Sequence, residues 1–181
     1  VEYGVDPSGE IHGSKWHDVN GNGLRDAGDQ GIEGWTIELD LDADGSVDLT
    51  TQTLPDGSYG FADLPDGTHR VREAQQDGWQ QTTADPVDIT IAEGQFVEGI
   101  DFGNFELVTL SGMKFDDADG DGAKDGGESG LADWTIELDL DADGSVDLTT
   151  QTAEDGSYSF ADVGPGTHRL REVQQVGWEQ T

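Results

Sequence analysis

Asp117, Asp119, Asp121, Asp125 and Glu128 occupy positions 1, 3, 5, 9 and 12 of one twelve-residue stretch, with Gly122 at position 6 and Ala123 at position 7. This is the ligand spacing of an EF-hand-type calcium loop, in which alternate side chains of a tightly turning chain converge on one centre. Calcium takes roughly six to eight hard oxygens, and a carboxylate at position 12 can supply two of them. The backbone carbonyl of Ala123 would supply another. The same slots recur earlier as Asp18, Asn20, Asn22, the Leu24 carbonyl, Asp26 and Asp29, with Gly23 as the turn glycine. Two asparagines lower the charge of this copy and Asp29 is shorter than a glutamate, so it is expected to hold Ca2+ more weakly than its twin. Asp and Gly also form plain turns. Two copies that each fill six slots favour the ion, and the Gly-rich flanks imply a loop between strands instead of a helix pair.

A second acidic cluster, Asp40, Asp42, Asp44 and Asp48 around Gly45, matches positions 1, 3, 5 and 9 of the same pattern. Thr51 stands at position 12, so the bidentate ligand is missing and would have to come from elsewhere in the fold. Asp139, Asp141, Asp143 and Asp147 repeat the cluster. A simple β-turn between two strands is the competing account here.

These loops sit in a chain that says the same thing twice. Trp35 to Thr53 reads WTIELDLDADGSVDLTTQT, and Trp134 to Thr152 repeats all nineteen residues at an offset of 99. The offset also pairs Asp18 with Asp117, Tyr59 with Tyr158, His69 with His168 and Trp79 with Trp178. A repeat this regular means two copies of one folding unit. Within the unit, Ile11 to Trp16 is a strand candidate. Trp35, Ile37, Leu39 and Leu41 then alternate with polar residues, as on a strand with one apolar face. Asp44-Gly45 turns the chain and Val47 and Leu49 resume the alternation. Asp56-Gly57 is another hairpin signal, before Tyr59 and Phe61. Thr68 to Glu73, Val87 to Ile91 and Phe96 to Asn104 complete the set. With no sustained helical period, the pattern predicts an all-β protein of tandem antiparallel β-sandwiches.

The expected divisions are residues 1–10 as a closing-strand remnant, donor strand or linker, 11–108 as the first sandwich and 109–181 as a second without its C-terminal strands. Val1-Glu2-Tyr3-Gly4-Val5 resembles Ile100-Asp101-Phe102-Gly103-Asn104 at the same offset of 99. Nothing in the second copy answers to Thr83 through Asn104. Head-to-tail assembly by strand donation is one expectation from this pattern, and a cut array is the other.

Forty Asp and Glu against eight Lys and Arg give a net charge of −32. Such a surface repels phosphates and anionic lipid, which argues against nucleic acid partners and against membrane insertion. Sixteen of the 40 acidic residues lie in the four loops, so ions alone do not account for the acidity. A saline setting or dense packing at a surface would favour the rest. There are no cysteines, and no run is long enough to span a membrane. The chain begins at Val without a signal peptide, as expected of a mature product or an excised piece. Ordinary calcium sites fill readily outside cells, so the expected location is extracellular: secreted or at the cell surface.

The segments GSKWHDVNGNGLRDAGDQGIEGWTIELD, DGSYGFADLPDGTHRVREAQQDGW and DFGNF together resemble the B-type repeats of SdrD-like serine-aspartate-repeat surface proteins and the wider Cna-type B domains. The resemblance covers the whole chain. It implies a prealbumin-like, seven-stranded sandwich that serves as a calcium-stiffened spacer, stalk or adhesin support. Some Cna-type domains also carry a spontaneous Lys–Asn isopeptide bond promoted by a buried acidic residue, and the matching positions are Lys15, Asn104 and Glu73. Near the lysine the SdrD-like branch usually has an apolar residue, which departs from this chain. Independently, Glu73 shares a strand face with Val71, and Asn104 shares one with Ile100 and Phe102, which is costly unless the polar groups are paired or reacted.

Three functions compete on this reading. A non-enzymatic structural repeat leads, joined to neighbouring repeats or copies of itself. An adhesin module for carbohydrate or protein is the alternative, and a carboxylate-pair hydrolase is the third. An enzyme has no need of two near-identical copies, and the acid pairs all sit in metal-like spacing. Trp35 and Trp134 fall on apolar strand faces, as core residues do. His69 and His168 have no second ligand at metal spacing.

Overall fold

The computed structural model describes residues 8–181, and these form strands and turns without a helix. The expected strand over Val1–Val5 lies outside the described residues. The chain divides into two compact units, the first ending at Glu106 and the second running Leu107–Thr181.

Unit one contains β1 (Gly9–His17), β2 (Thr36–Asp40), β3 (Leu49–Gln52), β4 (Ser58–Leu64), β5 (Gly67–Glu73), β6 (Trp79–Gln81), β7 (Ile89–Ile91), β8 (Phe96–Val97) and β9 (Phe102–Glu106). One sheet has the order β4-β1-β9-β6, with β8 also on β1, and the other has the order β3-β2-β5-β7. Period-two alternation buries one face of each: Ile11, Phe61 and Phe102 from the first sheet meet Ile37, Leu39, Val71 and Ile91 from the second, with Trp35 among them. Each such side chain contributes about 1.5–3 kcal/mol by leaving water. The unit is the all-β sandwich that the alternation predicts.

Unit two contains β10 (Val108–Met113), β11 (Thr135–Asp139), β12 (Leu148–Gln151), β13 (Ser157–Val163) and β14 (Arg169–Glu172). They correspond to β1 through β5 and form a β10-β13 pair and a β12-β11-β14 sheet. The core is smaller: Trp134, Ile136, Leu138, Phe160 and Val163.

Several details differ from the pattern-based expectation. Among the described residues of unit one nine strands stand where seven are implied, because the closing segment is broken into β8 and β9 and the short β6 adds to β9. Within the otherwise antiparallel sandwich, β1 runs parallel to both β8 and β9. Alternation fixes a strand's face, not the direction of its neighbour. Val47, in the loop before β3, and Leu49 on β3 are exposed, since among the described residues β3 pairs only with β2 and lies at the sheet margin. Val87 is also exposed, because β7 starts at Ile89 and Asp88 is drawn out to Arg70. Asp56-Gly57 closes a turn but not a hairpin: it carries the chain from β3 in one sheet to β4 in the other.

Candidate functional site

Asp18 directly follows β1, Asp40 and Asp139 are the last residues of β2 and β11, and Asp117 lies four residues beyond β10. In the first loop of unit two, carboxylate oxygens of Asp117, Asp119 and Glu128 lie within 4.8 Å of one another, as do those of Asp119, Asp121 and Asp125. The Asp117 carboxylate accepts from the amides of Gly120, Asp121 and Gly122. Glu128 braces the loop from the far end, one oxygen on Ala118 N and the other on Asp125 N. The Ala123 amide is held by Asp121 at 2.7 Å. Among the described residues no lysine or arginine pairs with these five side chains. Lys124, inside the loop, donates instead to the Glu128 backbone carbonyl.

The first loop of unit one has the same skeleton with fewer charges. Asp18, fully buried, accepts from Asn22 N and Gly23 N, and Asp29 accepts from Val19 N and Asp26 N. Asn20 and Asn22 both donate to Asp26 Oδ2 at 2.9 Å, which gathers three of the ligand slots at one point. The Leu24 amide binds Asn22. No trio of carboxylates converges in this loop among the described residues.

In the second clusters Asp40, Asp42 and Asp48 come together, as do Asp139, Asp141 and Asp147. Asp44 and Asp143 stand apart from these trios, each accepting from the amide two residues on. Asp40 and Asp139 are buried with their oxygens on the Asp44, Gly45 and Asp143, Gly144 amides. Burial acts to raise these two carboxyls, but the amides outweigh it and hold them below the ordinary aspartate value. The donor set of all four loops is hard oxygen, chemically suited to calcium.

A different site lies inside unit one. Lys15 on β1, Glu73 on β5 and Asn104 on β9 meet in the core, with Lys15 and Asn104 fully buried. Lys15 Nζ donates to Glu73 Oε2 at 2.8 Å and Asn104 Nδ2 to Glu73 Oε1 at 2.6 Å, so one carboxylate bridges amine and amide. The pair lies in the interior of the sandwich, with both side chains almost wholly shielded from solvent. Burial brings the Lys15 pKa down to about 8, against the upward pull of Glu73. The ammonium lies over the Trp35 ring, 4.2 Å from its centroid. The Asn104 carbonyl oxygen is buried without a hydrogen-bond donor. Chemically, this arrangement can bring a partly neutral amine and an activated amide together across a shared proton carrier.

Sequence reading missed three residues that position these groups. The Thr82 hydroxyl donates to the Gly103 carbonyl and lies beside Asp18, whose carboxyl it helps to hold below the ordinary value, so it stands between the acidic loop and β9. The Tyr59 hydroxyl donates to the Ile100 carbonyl and fixes the entry to β9. Trp35 underlies Lys15. Thr82 was detectable through the repeat, since Thr181 at the same offset contacts Asp117. The tryptophans fall as expected, with Trp35 and Trp134 in the cores. His69 is buried against the Pro65 carbonyl and faces no metal-ligand partner.

Fold and loops define a class: tandem β-sandwich repeats whose strand ends carry acidic, oxygen-rich loops. Within that class the chain belongs to the SdrD B-like domain family, which matches residues 9–93 and 109–181. It is 30% identical over 179 residues to serine-aspartate repeat-containing protein D of Staphylococcus aureus strain Newman, an alignment covering 92% of this chain and 14% of that protein. It is 31% identical over 181 residues to serine-aspartate repeat-containing protein E of strain USA300, covering 92% and 15%. The chain thus spans about a seventh of these relatives. Among solved structures, a streptococcal ancillary pilin aligns with a TM-score of 0.47 and 20% identity, covering 96% of this chain and 56% of the pilin.

Proposed function

We propose that this chain is a segment of a non-enzymatic, extracellular structural protein in which calcium-loaded sandwich repeats serve as a stiff spacer, stalk or fibre segment at a cell surface. The observation that carries the reading is the convergence of carboxylates in the second cluster of both units and in the first loop of unit two, where among the described residues no lysine or arginine forms a salt bridge to them. Asp117, Asp119, Asp121, Asp125 and Glu128 would hold one ion in unit two, and Asp18, Asn20, Asn22, Asp26 and Asp29 its weaker counterpart. The second clusters would hold two more. A bound ion would cancel the repulsion inside each loop and tie its two ends together. Membership of a repeat family with serine-aspartate repeat relatives supports the surface location and the repeat-to-repeat role. Assembly by donation of residues 1–6 to a neighbouring copy belongs to the same reading.

The buried cluster of unit one favours a second element, an internal amide between Lys15 and Asn104. Neutral Lys15 Nζ would add to the Asn104 side-chain carbon. The C–N bond to Nδ2 would break, and Nδ2 would leave as ammonia with the proton relayed by Glu73. The product would lock the first strand of the unit to its last.

Thermal melts with calcium and with chelator test the main reading. A ligand at a hundred times its dissociation constant stabilises the native state by about 2.7 kcal/mol per site. Chelator should lower the melting temperature substantially, and Asp117→Ala should remove more of the calcium effect than the exposed Asp77→Ala. An unchanged melt with no ion bound by either first loop would remove the reading.

A further inference from the structure

Asparagine stands at three positions of the chain, and two of them, Asn20-Gly21 and Asn22-Gly23, follow one another in the first acidic loop. At the matching positions unit two reads Asp119-Gly120 and Asp121-Gly122. Asparagine before glycine is a reactive pair, because a residue without Cβ lets its amide nitrogen approach the preceding side chain. Both asparagines are exposed, and φ is positive at both glycines, 67° at Gly21 and 75° at Gly23.

The two side chains are held alike. Asn20 Oδ1 accepts from Asn22 N and Asn22 Oδ1 from Leu24 N, which polarises both carbonyls, and both Nδ2 atoms donate to Asp26 Oδ2. What differs is the grip on the glycine nitrogen. Gly23 N donates to the buried Asp18 carboxylate at 2.7 Å. A negative charge beside this N–H opposes its ionisation, and moving the nitrogen would strip the carboxylate of a partner. Gly21 N instead donates to the Asp18 backbone carbonyl, at 3.2 Å.

We propose that Asn20-Gly21 is a self-modification site, which deamidates in preference to Asn22-Gly23 whenever the first loop is free of calcium. Hydroxide takes the Gly21 N–H proton, and the nitrogen adds to Asn20 Cγ. The Cγ–Nδ2 bond breaks, and Nδ2 picks up a proton from water and leaves as ammonia, which returns the hydroxide. Water then opens the succinimide ring. Cleavage between Cγ and the Gly21 nitrogen leaves aspartate; cleavage at the backbone carbonyl leaves isoaspartate. The sum is one water gained and one ammonia lost. The aspartate product gives position 3 the carboxylate that unit two already carries in Asp119, and with it a tighter hold on calcium. Isoaspartate lengthens the main chain between two ligand positions and spoils their spacing. A bound ion protects the site, because ring closure swings Asn20 Cγ towards Gly21 N and takes Oδ1 off the metal. This protection rests on the calcium reading of the loop, whereas the reactivity of the calcium-free chain does not.

The test holds the full chain at mildly alkaline pH with chelator or with calcium, at a temperature where circular dichroism shows it folded. Timed samples are digested and mapped by electron-transfer mass spectrometry, which separates aspartate from isoaspartate. In chelator, residue 20 should convert about tenfold faster than residue 22 or more, the rate-scale of one lost charge-assisted hydrogen bond. Calcium should slow the conversion severalfold, and Gly21→Ala should nearly abolish it. Asn20→Asp should raise the calcium affinity of the first loop, read by titration against an Asp29→Ala chain. Conversion at residue 22 as fast as at residue 20, an unmodified residue 20 in chelator, or an unchanged rate in Gly21→Ala overturns the site. If titration shows the first loop loaded and calcium leaves the rate unchanged, the protection is overturned. If the first loop binds no calcium, the calcium reading of that loop fails, and selective conversion of residue 20 still supports the modification site.

Discussion

Lys15 is the residue on which the chemistry of unit one turns. A buried ammonium is stable only if paired, and Glu73 pairs it; the same burial makes the neutral amine accessible near neutral pH. The Lys15 pKa of about 8 lies below the ordinary lysine value of 10.5, and this gives two expectations of definite sign. Ammonia loss from freshly refolded chain should accelerate about tenfold per pH unit below 8 and level off above it, because only the neutral amine is a nucleophile. Mass spectrometry of timed, acid-quenched samples reads this directly, and Glu73→Gln should abolish it. In the unreactive Asn104→Ala chain, the unfolded state holds a proton between about pH 8 and 10.5 that the folded state has released. Stability from this group should therefore rise with pH across that window, measurable by urea titration.

At the scale of elements, the position of β9 decides whether the buried cluster exists at all. Its neighbours leave no slack. A Cβ on Gly103 would stand 2.8 Å from the Trp16 ring, and one on Gly13 would stand 1.7 Å from the Ile100 carbonyl oxygen. Glycine is required at both places because two backbones, or a backbone and an indole, approach within contact distance. Gly103→Ala should cost about 1–3 kcal/mol by overpacking and slow ammonia loss by displacing Asn104 from Glu73. An alanine chain that reacts at the original rate would mean that β9 is not held by this contact. The loops work at the same scale, as Asp29 and Glu128 each bind two amides and so close their loops from the position-12 side.

For the whole molecule, the net charge of −32 sets the terms of stability. Without calcium the chain repels itself both within loops and over its surface, and the repulsion is screened over about 8–10 Å at ordinary ionic strength. In chelator, added sodium chloride should therefore raise the melting temperature, and the gain should shrink once calcium is bound. Each 1 kcal/mol recovered corresponds to roughly 4–8 °C for a unit of this size. The two units should also melt apart, with the smaller core of unit two giving the lower transition. Differential scanning calorimetry with and without chelator checks both.

The sequence by itself determined the strands, the faces they bury and the acidic loops, because these are local. Alternation reads out which side of Trp35-to-Leu39 faces the core, and ligand spacing reads out which oxygens a turning loop can gather. The repeat added what a single copy could not, by marking Asp117 and Glu128 as counterparts of Asp18 and Asp29. Alternation also marked Glu73 and Asn104 as polar groups on apolar faces, while Lys15 entered through the family resemblance. Only the tertiary structure decided that these three share one carboxylate, since β1, β5 and β9 are 58 and 31 residues apart at the contacts. The same is true of the parallel seating of β9, the exposure of Val47 and Leu49, and the departure of Asp44 from its cluster. Each depends on which strand ends up beside or above another. That is settled by packing between distant segments, which no local pattern encodes.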